Sequence, residues 1–216
     1  MKFNDIQKKT GKLLIINKNI LRTFEKNENT LNNNIKYWLK TKRLIALKNG
    51  VYIFSEKYKN ENNKDFYFEY IANSLLKPSY LSLEYVMAKN QLLTDAVYTV
   101  TSITTKTTRE FTNSLGTFRY YNIIPELFFG YKTIFVKNIP INVASKAKAV
   151  FDYIYLRFIK NSKINENAIK ELRINWENLN KNEFAEFCLY ISRTKSKNLN
   201  MLLLIIKELS SNTKSS

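Results

Sequence analysis

Apolar positions in the first sixty residues recur twice at helical spacing and then change to short runs that suit strands. Within Asn17 to Phe24, Ile20, Leu21 and Phe24 fall at i, i+1 and i+4, and the asparagines at the start can cap a short helix. After the polar break Glu25 to Asn29, Leu31, Ile35, Trp38 and Leu39 repeat at i, i+4, i+7 and i+8, one stripe of a second helix with Asn29 or Thr30 as its N-cap. Leu44 to Leu47 and Val51 to Phe54 then read as two strands around Lys48-Asn49-Gly50, and Asn-Gly is a strong hairpin signal because both residues tolerate positive φ. Helix, turn, helix, hairpin is the order of a winged helix-turn-helix. The polar, asparagine-rich Glu56 to Lys64 is the predicted linker, giving an N-terminal unit at residues 1–60 and a second at 65–216.

In the second unit, Asp65 to Lys77 has helical spacing and stops before Pro78, and Ser82 is the expected N-cap of a helix running to about Gln91, with Glu84 in its first turn. Val97 to Thr105 and Arg109 to Ile124, with a turn at Gly116, are rich in Thr, Val, Tyr and Phe and predict an antiparallel sheet, joined by a strand at Lys132 to Lys137. Helices are predicted over Ala144 to Lys160, Glu183 to Ser192 and Asn198 to Ser210, followed by a polar tail. The expected fold class is α+β: an N-terminal winged helix-turn-helix, then a mixed α+β unit with antiparallel strands and C-terminal helices.

Composition sharpens this picture. Of 216 residues 44% are hydrophobic and 14% aromatic, enough for a real core. The single cysteine, Cys188, lies among apolar neighbours that predict a buried thiol, and it allows neither an internal disulfide nor a multi-cysteine zinc site. No apolar run approaches the roughly 20 residues of a membrane-spanning helix. Together these features point to a cytoplasmic protein with no membrane partner.

The formal charge of +17 favours a polyanionic partner, although 28 lysines and 28 asparagines are also what codon bias in an AT-rich genome produces. Distribution is more telling: residues 1–64 carry 15 basic and 5 acidic side chains, more than half of the whole excess.

Chemistry is constrained from the other side. With no histidine, triads, His-containing zinc sites and the commonest general base are excluded. The four glycines, Gly11, Gly50, Gly116 and Gly130, form no phosphate-cradling loop. Asp5, Asp65, Asp95 and Asp152 are scattered, so the expectation is no enzyme, no cofactor and no metal. Turnover dependent on Asp152 or Glu126 would revive the enzymatic alternative.

The second helix carries the main functional reading. At 100° per residue, Asn32, Asn33, Lys36, Tyr37 and Lys40 oppose the apolar stripe. Asparagine can pair with an adenine edge in the major groove, and lysine and tyrosine can reach bases or phosphates. Lys42, Arg43, Lys48 and Asn49 extend this surface into the turn and wing; the competing reading is an ordinary solvated helix face. Around Thr99 to Thr108, hydroxyls with Lys106 and Arg109 could gather a second anion, whereas threonine also simply favours strands. Tyr120-Tyr121 and Phe128-Phe129 read as core and sheet residues.

In their order along the chain, several stretches resemble one family. They are Leu44 to Tyr52, Pro78-Ser79-Tyr80-Leu81-Ser82-Leu83-Glu84, Tyr98-Thr99-Val100-Thr101-Ser102 running to Arg109-Glu110-Phe111, Ile124 to Gly130, Ala144-Ser145 and Asp152-Tyr153-Ile154-Tyr155. Over roughly residues 12–160 the chain resembles the AbiEi-like antitoxins of type IV toxin-antitoxin (abortive infection, phage defence) systems and related transcriptional regulators. That resemblance implies a repressor autoregulating its own promoter through inverted repeats, with a second unit acting against a nucleotidyltransferase-like toxin. The chain departs from the pattern where the family has a glycine after the recognition helix and an arginine in the first wing strand; here stand Thr41-Lys42-Arg43 and Ala46. Further departures are Lys146-Ala147 and Tyr85-Val86-Met87. Paired half-sites imply a homodimer on double-stranded DNA. The alternative is a protein-interaction module that neutralises or scaffolds a partner without specific DNA binding.

Overall fold

The structure, a computed structural model, describes residues 2–158 and 164–212, with side chains described through residue 208. It is a mixed α+β fold with two sheets. The first elements are α1 (Phe3–Lys9), β1 (Ile16–Asn17), α2 (Lys18–Arg22), α3 (Glu28–Lys40), β2 (Leu44–Lys48), β3 (Val51–Phe54) and α4 (Ser55–Asn60). Here β1, β3 and β2 form an antiparallel three-stranded sheet in that order, with Ile16 opposite Tyr52 and Leu44 opposite Phe54. Its helices close a small core of Ile6, Ile16, Leu21, Leu31, Ile35, Trp38, Leu44, Tyr52 and Phe54.

Beyond it come α5 (Lys64–Leu75), β4 (Ser79–Leu81), α6 (Leu83–Lys89), β5 (Val100–Thr104), β6 (Arg109–Asn113), β7 (Gly116–Asn122), β8 (Tyr131–Val136) and β9 (Ile139–Ala144). The chain continues as α7 (Lys146–Phe158), α8 (Glu166–Lys170), α9 (Lys181–Arg193) and α10 (Lys197–Asn212). Six strands form the second sheet in the order β6-β7-β5-β4-β9-β8. The sheet is mixed rather than antiparallel as predicted, because β5 runs parallel to β7, and β4 parallel to β9. β5 is buried on both faces, the setting a parallel pairing requires, and it takes a parallel neighbour, β7, on one side and an antiparallel one, β4, on the other. Two of the three β5 hydroxyls are engaged internally, and the third, Ser102 Oγ, is buried without a hydrogen-bond partner. Thr101 Oγ1 donates to the Ser82 carbonyl (2.7 Å) and Thr104 Oγ1 to that of Pro78 (2.7 Å), so these threonines serve the strand, while Lys106 and Arg109 lie beyond its end.

Several local expectations are corrected. Asn27, not Asn29 or Thr30, caps α3, its Oδ1 accepting from the Thr30 amide (3.0 Å). Ser82 stands at the N-cap of α6 without capping it, because its hydroxyl donates to buried Asp152 (2.7 Å). The segment read as a linker is helical at both ends. Tertiary contacts override its polar composition: Gln7 donates to Glu56 (2.6 Å), Lys57 to the Leu13 carbonyl (2.6 Å), and Tyr58 packs edge-on against Tyr67. Cys188 is half-buried. The end of the predicted Ala144 to Lys160 helix and the tail beyond residue 212 lie outside the described residues. Among the described residues no helix is long and apolar enough to cross a membrane.

A second, larger core joins α5, α6, α7, α9 and α10 to the six-stranded sheet, and it includes Leu47 and Ile53 from the first sheet. The two sheets therefore meet edge to edge where β2 approaches β6, and Asn113 Nδ2 donates to the Leu47 carbonyl (3.1 Å).

Candidate nucleic-acid interface

The stripe on α3 decides which face of that helix meets solvent. Leu31, Ile35 and Trp38 are buried, and each such side chain contributes about 1.5–3 kcal/mol on leaving water. Phe3 of α1 closes over them, edge-on to Trp38 (5.2 Å) and to Phe54 (5.6 Å). The start of α3 is tied to α2 through Glu28, which pairs with Lys18 (2.9 Å) and Arg22. Hydrogen bonds from Arg22 and Lys18 hold its carboxyl down at about 2. That negative charge also suits the positive end of the helix dipole.

With the stripe inward, Asn32, Asn33, Lys36, Tyr37 and Lys40 are all exposed, Tyr37 to 55%. Among the described residues, none of these five side chains is committed to a hydrogen bond or ion pair within the chain. The face thus presents two amides, two ammonium groups and a phenol, free to engage an outside partner.

The helix ends in a tight turn. Thr41 Oγ1 donates to the Tyr37 carbonyl (2.9 Å), the Arg43 amide donates to the Trp38 carbonyl (2.9 Å), and Lys42 adopts φ 54°. That left-handed conformation is the one glycine takes without steric cost. Lys42 and Arg43 are exposed, and the Arg43 guanidinium lies over the Phe3 ring at 5.4 Å.

The hairpin tip divides its two residues. Asn49 is exposed, whereas Lys48 is half-buried, donates to the Leu75 carbonyl and lies over the Phe111 ring at 5.2 Å. Burial lowers the Lys48 ammonium pKa, and the nearby charges of Arg109 and Lys106 lower it further. Lys48 therefore leaves the α3 surface and joins Lys106 and Arg109 in a cationic group at the seam between the sheets. Lys106 is exposed on the turn between β5 and β6, held by Asn122 Nδ2 donating to its carbonyl (2.9 Å), and Arg109 is exposed at the start of β6. None of the three cations has an acidic partner among the described residues.

The carboxylates considered for an enzymatic alternative are not gathered. Asp152 is fully buried, accepting from Lys148 Nζ (2.6 Å), Ser82 Oγ (2.7 Å) and Tyr80 Oη (3.0 Å), while Glu126, Asp5, Asp65 and Asp95 are exposed. Among the described residues no three His, Cys, Asp or Glu side chains are grouped to hold a metal ion.

Sequence reasoning missed Ser55 and Lys59. They line a cleft of about 390 Å³ together with Lys42 and Arg43, between α1, the α3–β2 turn and α4. The charged Glu56 to Lys64 stretch held the signal for Lys59, but its treatment as a linker hid it. No protein-family model matches the chain, and no curated protein matches it.

Proposed function

We propose that the chain is a sequence-specific DNA-binding transcriptional repressor. On this reading residues 1–60 are a winged helix-turn-helix in which α2 and α3 are the helix pair, α3 is the recognition helix, and β2 and β3 are the wing. The observation that carries the proposal is the free polar face of α3, where Asn32, Asn33, Lys36, Tyr37 and Lys40 stand opposite a stripe anchored by Trp38. Such a face fits the major groove in size and in donor-acceptor chemistry. The local basic excess supplies phosphate affinity, and two copies would sit on the halves of an inverted repeat. The ordered motifs of residues 12–160 support a role as the antitoxin of a type IV pair, autoregulating its promoter opposite a nucleotidyltransferase-like toxin. A second reading, a protein-interaction module, draws on the exposed Phe135 (70%), Leu204 (62%) and Met201 (52%).

Fluorescence anisotropy against the DNA upstream of its own gene, at two salt concentrations and with scrambled competitor, tests the proposal. Specific binding should fall steeply with salt. Substitution of Asn33, Lys36 and Lys40 together by alanine should remove the sequence preference without lowering the unfolding midpoint, since none of the three is buried. Retained preference in the folded triple variant would refute the recognition-helix assignment, and an intact chain without preference would favour the interaction module.

A further inference from the structure

The cleft behind the C-terminal end of α3 combines three features that α3 itself does not need. Lys42, Arg43 and Lys59 converge on it, and none has an acidic partner among the described residues. Its one carboxylate, Glu56, is engaged by Gln7 Nε2 (2.6 Å). Ser55 also lines it, and the Ser55 hydroxyl is buried with no hydrogen-bond partner. A buried hydroxyl without a partner is costly, and native folds leave few of them. Excess positive charge beside an unpaired donor calls for an anion with several acceptor oxygens.

We propose that this cleft binds a phosphoryl group. The backbone sets the spacing of the donors: the Ser55 amide donates to the Arg43 carbonyl (3.0 Å), so the orphaned hydroxyl and the guanidinium residue are neighbours across β2 and the start of α4. Phe3 holds the Arg43 guanidinium from below at 5.4 Å, leaving its planar fork of N–H groups for two phosphate oxygens. Lys42 and Lys59 add point charges, Asn4 on α1 supplies an amide at the rim, and the Ser55 hydroxyl, closed off from solvent in this structure, reaches a further oxygen once a lining side chain moves aside. The volume falls at the lower end of small-molecule sites, which run from about 300 to 1,000 Å³. It accommodates a phosphate carried either by a nucleic-acid backbone or by a small phosphorylated molecule. The site stands without the DNA-binding reading, because the chemistry of the ligand is the same in both cases.

The test is a titration of the full-length ¹⁵N-labelled chain with inorganic phosphate at constant ionic strength, followed by NMR. The expected result is saturable shifts of the Ser55, Arg43 and Asn4 amides over roughly 1–30 mM phosphate, with chloride inert. Ser55→Ala and the surface substitution Lys59→Gln should each weaken binding about tenfold. Ser55→Ala should leave the unfolding midpoint unchanged or raised, since it removes an unsatisfied hydroxyl. Displacement of phosphate by a short duplex DNA would identify the backbone as the source; retention of phosphate beside bound duplex would identify a small phosphorylated molecule, and both outcomes support the site. Shifts that never saturate, or saturation unchanged in both variants, would overturn it whether or not the chain binds DNA.

Discussion

Lys148 and Asp152 form an i, i+4 ion pair on α7 with neither side chain exposed to solvent. Lys148 Nζ also donates to the Leu127 carbonyl (2.8 Å) and lies over the Phe151 (4.4 Å) and Phe129 (4.7 Å) rings. Asp152→Ala removes the acceptor of three donors at once and leaves a buried ammonium with one carbonyl, so a loss of about 3–5 kcal/mol is expected. Lys148→Met should cost about 3 kcal/mol, at the lower end, because the carboxyl keeps its bonds from Tyr80 and Ser82 and can take up a proton. Burial raises the Asp152 carboxyl above its ordinary 3.8, and Lys148 is the first of the groups opposing that rise. Without Lys148 the folded pKa climbs further. The native state then holds a proton the unfolded chain has released, so Lys148→Met is least harmful below about pH 4 and worsens as pH rises through the folded pKa. The double variant Lys148→Met, Asp152→Ala removes both charges and should cost less than the sum of the singles. Urea unfolding read by fluorescence and by circular dichroism measures each of these. Singles costing under about 1 kcal/mol, or strict additivity in the double variant, would refute the claim that the two charges sustain each other.

Two further outcomes follow from geometry. Gly130 sits at φ 72°, and a Cβ there would lie 2.9 Å from Lys148 Cδ and 3.0 Å from Tyr190 Oη, so Gly130→Ala should destabilise by about 2–4 kcal/mol in the same urea assay. The Glu28 carboxyl, held near 2 against an ordinary 4.5, should titrate with that midpoint by carboxyl ¹³C NMR. Its folded pKa is depressed, so its tie between α2 and α3 is complete above 4.5 and is lost as pH falls through about 2.

What could be read from the chain, and what could not, divides along the range of the interactions. The α3 face was legible because Leu31, Ile35 and Trp38 mark one side of a 3.6-residue period, and everything opposite them follows. By contrast, α1 offers little more than Phe3 and Ile6, and its place is set by Phe3 meeting Trp38 and Phe54 far along the chain. Pro140 masked β9, since proline argues against an interior strand. The structure tolerates it because β4 pairs with β9 only at Val143, leaving the Pro140 end of that edge unpaired. The inward turn of Lys48 depends on Leu75 and Phe111, and no local pattern encodes it. The unpaired hydroxyl of Ser55 is likewise visible only once α1 and α4 are in place.

The seam between β2 and β6 bears on any attempt to cut the protein in two. Leu47 and Ile53 are made by the first sixty residues but buried against the later ones, at 2% and 0% exposure. A fragment ending near residue 60 would surface both aliphatic side chains and strip the cover from the outer edge of β2. Such a fragment would pair with itself through that edge, and its apparent oligomeric state would report the scissors rather than the protein.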